Sequence, residues 1–368
     1  MDVAAPAPAP TGYFEWNPEE DDVLICRAVR EETADVKTFV FAPRSGRRFR
    51  YRPGQFLTFE FEIDGEAIHR CYTISAAPSR PDTVSITVKR VPGGPVSNWL
   101  HDHFKPGQMI KATGPMGNFS WTDHPSRSAK YLLISGGSGV TPMMSMTRTA
   151  YDLAEIRDTV FLHAARSPTD IVFRDELEMM SRRNRSIRVA HIVEADSPHE
   201  GYSGFRGRVS RAAIEAVAPD FREREIFVCG PSPFMKAVRA ILKEAGADMA
   251  RYHEESFNFE ELSLGDQAAV EEASADLATE VKTWNVEFAR TKRIVECPET
   301  MTILEAARRA GMRLPASCTK GLCGTCKSKK IAGTVEMHHQ GGIRQREIDA
   351  GMMLICCSKP RSDVVVER

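Results

Sequence analysis

Four cysteines constrain this chain more than anything else in it. Cys318, Cys323 and Cys326 stand in a C-x4-C-x2-C run, and 29 residues separate Cys326 from Cys356. That is the spacing of thiolates that hold a 2Fe–2S cluster, three on one tight loop and the fourth on a distant strand. Gly321 and Gly324 let the loop curl and aim backbone N–H groups at the sulfurs. Ser317 and Thr325 add hydroxyls beside it. A zinc site on Cys323 and Cys326 is the competing reading. Structural zinc favours two short C-x2–4-C knuckles, and here the second pair would be the adjacent Cys356 and Cys357, poorly placed for one tetrahedral ion. The remaining cysteines, Cys26, Cys71, Cys229 and Cys297, are scattered. A disulfide scaffold would be short and secreted, so a metal site is the expected use.

The chain has 368 residues, enough for two or three domains. Between residues 20 and 124, runs such as VLICRAV, TFVFAP, FLTFEFEI and VSITVKRV are rich in β-branched and aromatic residues. Turn signals such as PRSGRR, RPGQ and IDGE separate them, which predicts an antiparallel barrel. From 125 to 259, buried-type strands (YLLIS, FLHAA, IRVAHIV, EIFVCG) alternate with helical stretches and predict an α/β domain on a parallel sheet. Residues 260–281 carry seven acids and no Lys or Arg; with Lys282 they predict a solvated linker, 260–282. Residues 283–368 form the cluster-bearing unit, and residues 1–19, opening MDVAAPAPAP, predict a disordered tail.

A net charge of −1 argues against nucleic acid or a membrane surface as partner. No apolar run approaches the ~18 residues of a membrane span. The N-terminus lacks the basic and apolar regions of a signal peptide, so a cytoplasmic location is expected.

Arg70–Ser75 (RCYTIS) matches R-x-Y-[ST]-x-S, a pattern that any half-buried strand could carry by chance. A flavin phosphate asks for a bidentate cation and hydroxyl donors, which Arg70 and Ser75 offer. Tyr72 offers a flat face with a polar tip. Gly93 and Gly94 lead into an apparent helix with Ser97 as its expected N-cap, a second phosphate contact. Gly136–Pro142 (GGSGVTP) follows a strand and precedes a helix. Thr141 is expected to cap that helix and Pro142 to sit in its first turn, leaving an N-terminus suited to a pyrophosphate. Cys229-Gly230-Pro231 repeats the arrangement after EIFV. An ordinary strand–turn–helix corner and a buried structural Cys229 are the bland alternatives. Arg166 and Arg174 follow the second strand. They would meet the adenosine ribose or a 2′-phosphate, or simply be solvated.

Together these motifs resemble the ferredoxin–NADP reductase superfamily, with LPASCTKGLCGTCK and LICCSKP resembling a plant-type ferredoxin. The resemblance implies an antiparallel flavin barrel, a nicotinamide α/β domain and an α+β β-grasp ferredoxin domain. It implies FAD, with FMN less favoured, held by Arg70, Tyr72, Thr73, Ser75, Gly94 and Ser97, with the Thr73 hydroxyl near the reactive flavin nitrogen. Gly137, Gly139, Thr141, Pro142, Arg166, Gly230 and Pro231 would flank the nicotinamide coenzyme. Cys229 would lie at the reacting end, with Phe257 of the HEESF segment near the flavin. NADH is expected, and NADPH is the alternative. Cys318, Cys323, Cys326 and Cys356 would ligate the cluster, and Cys357 would be a bystander. The longer stretches VKRVPGGPVSNWLHD, HAARSP and MARYHEESF resemble reductase components of Rieske-type oxygenases that demethylate glycine betaine or related quaternary ammonium compounds. The expected partner is a terminal Rieske-type oxygenase, because this chain has no paired Cys-x-His motifs of its own. By itself the chain is expected to be a monomer or weak oligomer. Reductases of hybrid-cluster proteins share the architecture, and a redox sensor without turnover is the alternative from another class. From Lys282 to Arg368 there are 16 Lys or Arg and 9 Asp or Glu, and Lys320, Lys327, Lys329 and Lys330 predict a basic rim beside the cluster.

Overall fold

The computed structural model describes residues 15–17, 22–256, 282–312, 314, 316, 319, 321, 323–339 and 341–368. Most of the expected tail and acidic linker, together with Ser317, Cys318, Lys320 and Phe257, lie outside the described residues. Residues 15–17 depart from the expected tail. Trp16 is buried against Phe49 at 5.1 Å, because an indole gains more from the barrel core than from water.

The first unit has strands β1 (Val23–Thr33), β2 (Val36–Pro43), β3 (Phe56–Ile63), β4 (Glu66–Thr73), β5 (Val84–Lys89) and β6 (Met109–Met116), with α1 (Pro95–His103) before β6. Their order is β4-β3-β6-β1-β2-β5, and an Ile74–Ile86 bridge joins the β4 and β5 edges into a barrel. Alternate residues point inward, so Phe39, Phe41, Leu57, Phe59 and Phe61 fill the interior.

The second unit is an all-parallel sheet of β7 (Lys130–Gly136), β8 (Asp158–Ala165), β9 (Ile187–Val193), β10 (Phe205–Arg206), β11 (Glu225–Gly230) and β12 (Tyr252–Ser256), ordered β10-β9-β8-β7-β11-β12. Helices α2 (Val140–Asp152), α3 (Arg174–Arg183), α4 (Arg211–Val217) and α5 (Ser232–Glu244) connect the strands. Alternate sides of the same strands feed two cores. Leu133 and Phe161 pack with Met143 and Leu177, and Ile134 and Leu162 pack with Ile214 and Val238. Chain order reverses between β7 and β11, which opens a crevice at the strands' C-terminal ends.

The third unit has β13 (Thr283–Phe288), β14 (Arg293–Pro298), β15 (Lys327–Ala332), β16 (Val335–Met337), β17 (Met352–Leu354), β18 (Ser358–Pro360) and β19 (Val364–Val366), with helices α6 (Ile303–Arg309) and α7 (Gln345–Asp349). Five strands form a mixed sheet, β14-β13-β19-β15-β17. The α6 residues Ile303, Leu304 and Ala307 pack with Val286, Phe288, Val364 and Val366 in one core that also holds Cys326 and Cys356.

Candidate flavin, nicotinamide and cluster sites

Strand β4 carries the flavin motif, and its register against β3 decides where each side chain goes. Arg70 pairs with Phe59 and Tyr72 with Leu57, whereas Cys71 pairs with Thr58 and Thr73 with Phe56. The ring of Tyr72 meets Phe59 and Phe61 edge-on at 6.1 and 6.4 Å. Arg70 is half-buried and donates to the His69 carbonyl at 2.9 Å. Among the described residues it has no ion pair, so its charge is available to an anion. Thr73 is buried, and among the described residues its hydroxyl has no hydrogen-bond partner. A cation, an aromatic face and an open hydroxyl on one strand fit a flavin phosphate and ring.

Ser75 is placed otherwise than its expected phosphate contact. After the Ile74–Ile86 bridge the chain has crossed to β5, and Ser75 is fully buried there. Its hydroxyl lies 3.0 Å from Ser85 Oγ and 2.9 Å from Thr87 Oγ1, in an interior cluster of hydroxyls. Ser97 is likewise not the N-cap of α1. Gly94 holds that position, while Ser97 Oγ accepts from the Val91 N–H at 3.1 Å and donates to the Gly94 carbonyl at 3.3 Å. The α1 N-terminus is left without a side-chain cap.

The crevice of the parallel sheet is built by close backbone approach. A Cβ on Gly139 would lie 2.2 Å from the Cys229 carbonyl oxygen, so only glycine lets the β7–α2 turn seat on the end of β11. Gly137 shares the 3-10 turn Gly137–Gly139. Gly230 packs against Phe234 and the Gly136 nitrogen. Thr141 is not a cap: α2 has already begun at Val140, and Thr141 Oγ1 donates to the Ser138 carbonyl at 3.1 Å, with Pro142 next in the first turn. Gly139 precedes α2 and Pro231 precedes α5, and neither helix has a side-chain cap. By contrast α4 and α6, away from the crevice, are capped by Ser210 and Thr302. Two uncapped helix N-termini at the ends of adjacent strands fit a pyrophosphate. Arg166 is exposed and paired with Asp35 at 3.2 Å and Asp170 at 3.1 Å. Arg174 is paired with Glu178 and Glu200.

In the third unit Cys323, Cys326 and Cys356 are all nearly inaccessible, and none is in a disulfide. Gly324 has a φ of +74°, and a Cβ there would strike the Gly342 carbonyl at 2.6 Å, so the loop's tight curl requires glycine. Thr325 Oγ1 lies 3.3 Å from Cys323 Sγ. Buried reduced thiols around one curled loop suit a thiolate-bound cluster. Cys357 is half-buried, its Sγ donates to the Leu354 carbonyl at 3.6 Å, and its sulfur lies against Gly321.

Models described as an oxidoreductase FAD-binding domain, an oxidoreductase NAD-binding domain and a 2Fe-2S iron-sulfur cluster binding domain match residues 26–121, 133–240 and 286–361. Over 345 residues the chain is 45% identical to the glycine betaine monooxygenase reductase subunit of Pseudomonas aeruginosa, covering 93% of this chain and 94% of that protein. The chain belongs to the reductase components of monooxygenases. The reductase is also 41% identical over 353 residues to the stachydrine N-demethylase reductase subunit of Rhizobium meliloti, covering 96% of this chain and 97% of that one. Among solved structures, phthalate dioxygenase reductase, a modular protein for electron transfer from pyridine nucleotides to [2Fe-2S], aligns with a TM-score of 0.56 at 23% identity. The alignment covers 96% of this chain and 100% of that one, a likeness of fold. The reductase is thus an oxidoreductase with FAD, NAD and 2Fe–2S domains, and among its described residues no helix is long and apolar enough to cross a membrane.

Sheet register gives Cys229 neighbours that the sequence analysis did not single out. Parallel pairing sets Glu255, Cys229, Ser135, His163 and His191 side by side across β12, β11, β7, β8 and β9. Ser135 Oγ and His163 Nδ1 are 2.8 Å apart. Burial lowers the pKa of His163 to about 3 and that of His191 to about 4, so both stay neutral. Among the described residues Glu255 Oε2 is buried with no partner, and burial raises its carboxyl pKa to about 8. Burial, reinforced by Glu255, also raises Cys229 well above the ordinary thiol range, so this sulfur stays protonated. The signal in the sequence was the HEESF segment, but only sheet register puts its second Glu beside Cys229.

The basic rim also needs correction. Lys327 is buried and paired with Glu347 at 2.7 Å, so it offers no exposed charge, whereas Lys329 points to solvent.

Proposed function

We propose that this reductase takes electrons from NADH and delivers them singly, through its cluster, to a separate terminal oxygenase that demethylates glycine betaine or a related quaternary ammonium compound. The substrate assignment rests on the 45% identity with the glycine betaine monooxygenase reductase subunit. The geometry that carries the electron route is that the cluster loop rests on the strand holding Arg70, Tyr72 and Thr73: Thr58, on the neighbouring strand, bonds the Cys323 carbonyl. When bound, nicotinamide supplies a hydride pair, a flavin divides it, and a 2Fe–2S centre passes one electron at a time.

The chain's own groups do the positioning. Arg70 anchors the flavin phosphate, Tyr72 covers the ring, and the Thr73 hydroxyl hydrogen-bonds at its reacting end. The N-termini of α2 and α5, seated by Gly139, Gly230 and Pro231, hold the coenzyme pyrophosphate. Cys229 and Glu255 line the reacting end as neutral groups and exclude water there. Cys318, Cys323, Cys326 and Cys356 hold the irons. Asp35 and Asp170 flank Arg166 and would repel a 2′-phosphate, which favours NADH over NADPH. The test is reconstitution with purified oxygenases. NADH-dependent release of formaldehyde is expected with a glycine betaine oxygenase. Activity with an unrelated oxygenase and none with any quaternary ammonium demethylase would overturn the substrate assignment.

A further inference from the structure

Cys71 has no role in the account so far, yet it sits where two domains meet. It shares a face of the barrel with Thr58, its cross-strand partner, and both reach the cluster loop. Thr58 Oγ1 donates to the Cys323 carbonyl at 2.5 Å in a fully buried contact between residues 265 positions apart. Cys71 Sγ lies 3.5 Å from the same carbonyl, 3.4 Å from Thr325 Oγ1 and 3.4 Å from Thr58 Oγ1. Thr325 Oγ1 is in turn 3.3 Å from Cys323 Sγ.

The donor inventory fixes the direction of this chain of contacts. A carbonyl only accepts, so Thr58 donates to it. As a metal ligand Cys323 is a thiolate and also only accepts, so the Thr325 hydroxyl donates to its sulfur. That leaves a lone pair on Thr325 Oγ1 within reach of the one S–H of Cys71, which is shared between this oxygen and the Cys323 carbonyl. Two residues along the same face of β4 lies Thr73, roughly 7 Å away at the rise of a strand. The cluster ligand and the hydroxyl assigned to the flavin's reacting end are therefore joined through one short strand segment.

We propose that Cys71 is a positioning residue for electron transfer from flavin to cluster: with Thr58 it locks the cluster loop onto the flavin-bearing strand, and through Thr325 it completes a hydrogen-bond chain to the Cys323 sulfur. The inference rests on the function proposed above. The lock holds the loop at a fixed distance, and tunnelling falls exponentially with distance. The hydrogen-bond chain polarises Thr325 toward the ligand sulfur, and hydrogen bonds to cluster sulfurs tune reduction potential.

The experiment uses the full chain with both cofactors bound. In rapid mixing with NADH, bleaching of the flavin and reduction of the cluster are followed separately. Cys71→Ala should leave flavin bleaching as in the wild type and slow cluster reduction by about fivefold, the population shift of one net hydrogen bond. An EPR-monitored redox titration, which needs no turnover, should show a lower cluster midpoint potential. Cys71→Ser keeps a donor and should restore both. Should Cys71→Ala fold poorly, Thr58→Val carries the same expectation for the transfer rate. Wild-type rate and potential in both Cys71→Ala and Thr58→Val would overturn the lock while leaving the functional reading intact. A wild-type protein whose flavin is not bleached by NADH would instead sink the functional reading.

Discussion

The barrel meets its two neighbours through seams of different construction. Toward the nicotinamide domain the seam carries charge: Arg80 of the barrel makes a bidentate pair with Asp152 of α2 at 2.8 Å, and the buried Arg148, held by Glu176 of its own domain, crosses to a barrel carbonyl. Arg148 of α2, 8% exposed, donates to the Ser75 carbonyl at 2.7 Å and makes a bidentate pair with Glu176 at 2.8 and 2.6 Å. It also stacks over Phe173, 4.6 Å from the ring centroid. Phe173 has a φ of 58°, a left-handed conformation that costs on the order of 1 kcal/mol or more in a bulky residue and persists only where packing over-determines it. Ser145 adds a bond to the Ala76 carbonyl at 2.7 Å. Toward the cluster domain the seam is lighter among the described residues: the Thr58 hydroxyl and the Cys71 thiol meet the cluster loop, and Asp22 accepts from Arg344 at 3.2 Å and Arg346 at 3.1 Å. The difference matches the two transfers. A hydride moves only at van der Waals contact and needs a rigid frame. An electron tolerates a gap, and the domain that receives it must also face an outside partner.

The largest effect that would sharpen this contrast is loss of the cluster alone. Cys356→Ser should abolish the cluster's visible and EPR spectra while NADH still bleaches the flavin. Cys357→Ser should leave the cluster nearly intact. A normal cluster in Cys356→Ser would reverse the assignment of the fourth ligand. If Cys356→Ser also stopped flavin bleaching, the two seams would not be separable in the way their structures suggest.

Breaking the heavier seam should cost stability as well as rate. Arg148→Ala strands the half-buried Glu176 and the Ser75 carbonyl, and losing charge-assisted bonds of this kind costs about 2–3 kcal/mol. The flavin-bleaching rate should fall, because the crevice is no longer fixed against β4. Urea unfolding and rapid mixing read the two effects. An unchanged urea midpoint in Arg148→Ala would mean that the apolar contacts of α2, not the arginine, hold the seam.

How far the sequence spoke depends on the range of each signal. Strand runs, the cysteine spacing and the glycine turns are local, and each leads to the element expected of it. Signals that need a partner strand did not survive. Ser75 looked like a phosphate donor because R-x-Y-[ST]-x-S says nothing of the crossing to β5 that buries its hydroxyl with Ser85 and Thr87. Thr141 and Ser97 looked like caps because they are good capping residues, yet Gly139 and Gly94 begin the helices earlier. Lys327 looked like a surface charge, although Glu347, twenty residues on, neutralises it in the interior. Cys71 looked scattered because its contacts with the cluster loop lie more than 250 positions away.

At neutral pH the smallest effect belongs to Glu255, and its sign separates the seams further, since the titrating orphan lies on the hydride side. Burial raises its pKa from the ordinary 4.5 to about 8. Between those values the folded protein keeps a proton that the unfolded chain has released. Its contribution to stability is therefore fully present below about pH 4.5 and is lost as pH rises through 8. Glu255→Gln cannot ionise, and at pH 7 it replaces a neutral carboxyl with a neutral amide of nearly the same shape. Flavin bleaching by NADH at pH 7 should then stay close to wild type. The thermal midpoint of Glu255→Gln relative to wild type should climb steadily between pH 5 and 8, because only in the wild type does the unfolded chain gain by releasing this proton. The cluster's midpoint potential should not change in either protein over this range, since among the described residues Glu255 has no bond to the cluster loop. Parallel melting curves at every pH would show that Glu255 is ionised throughout and is held by a partner such as the bound coenzyme. A potential that moved with Glu255 would mean that the two seams communicate.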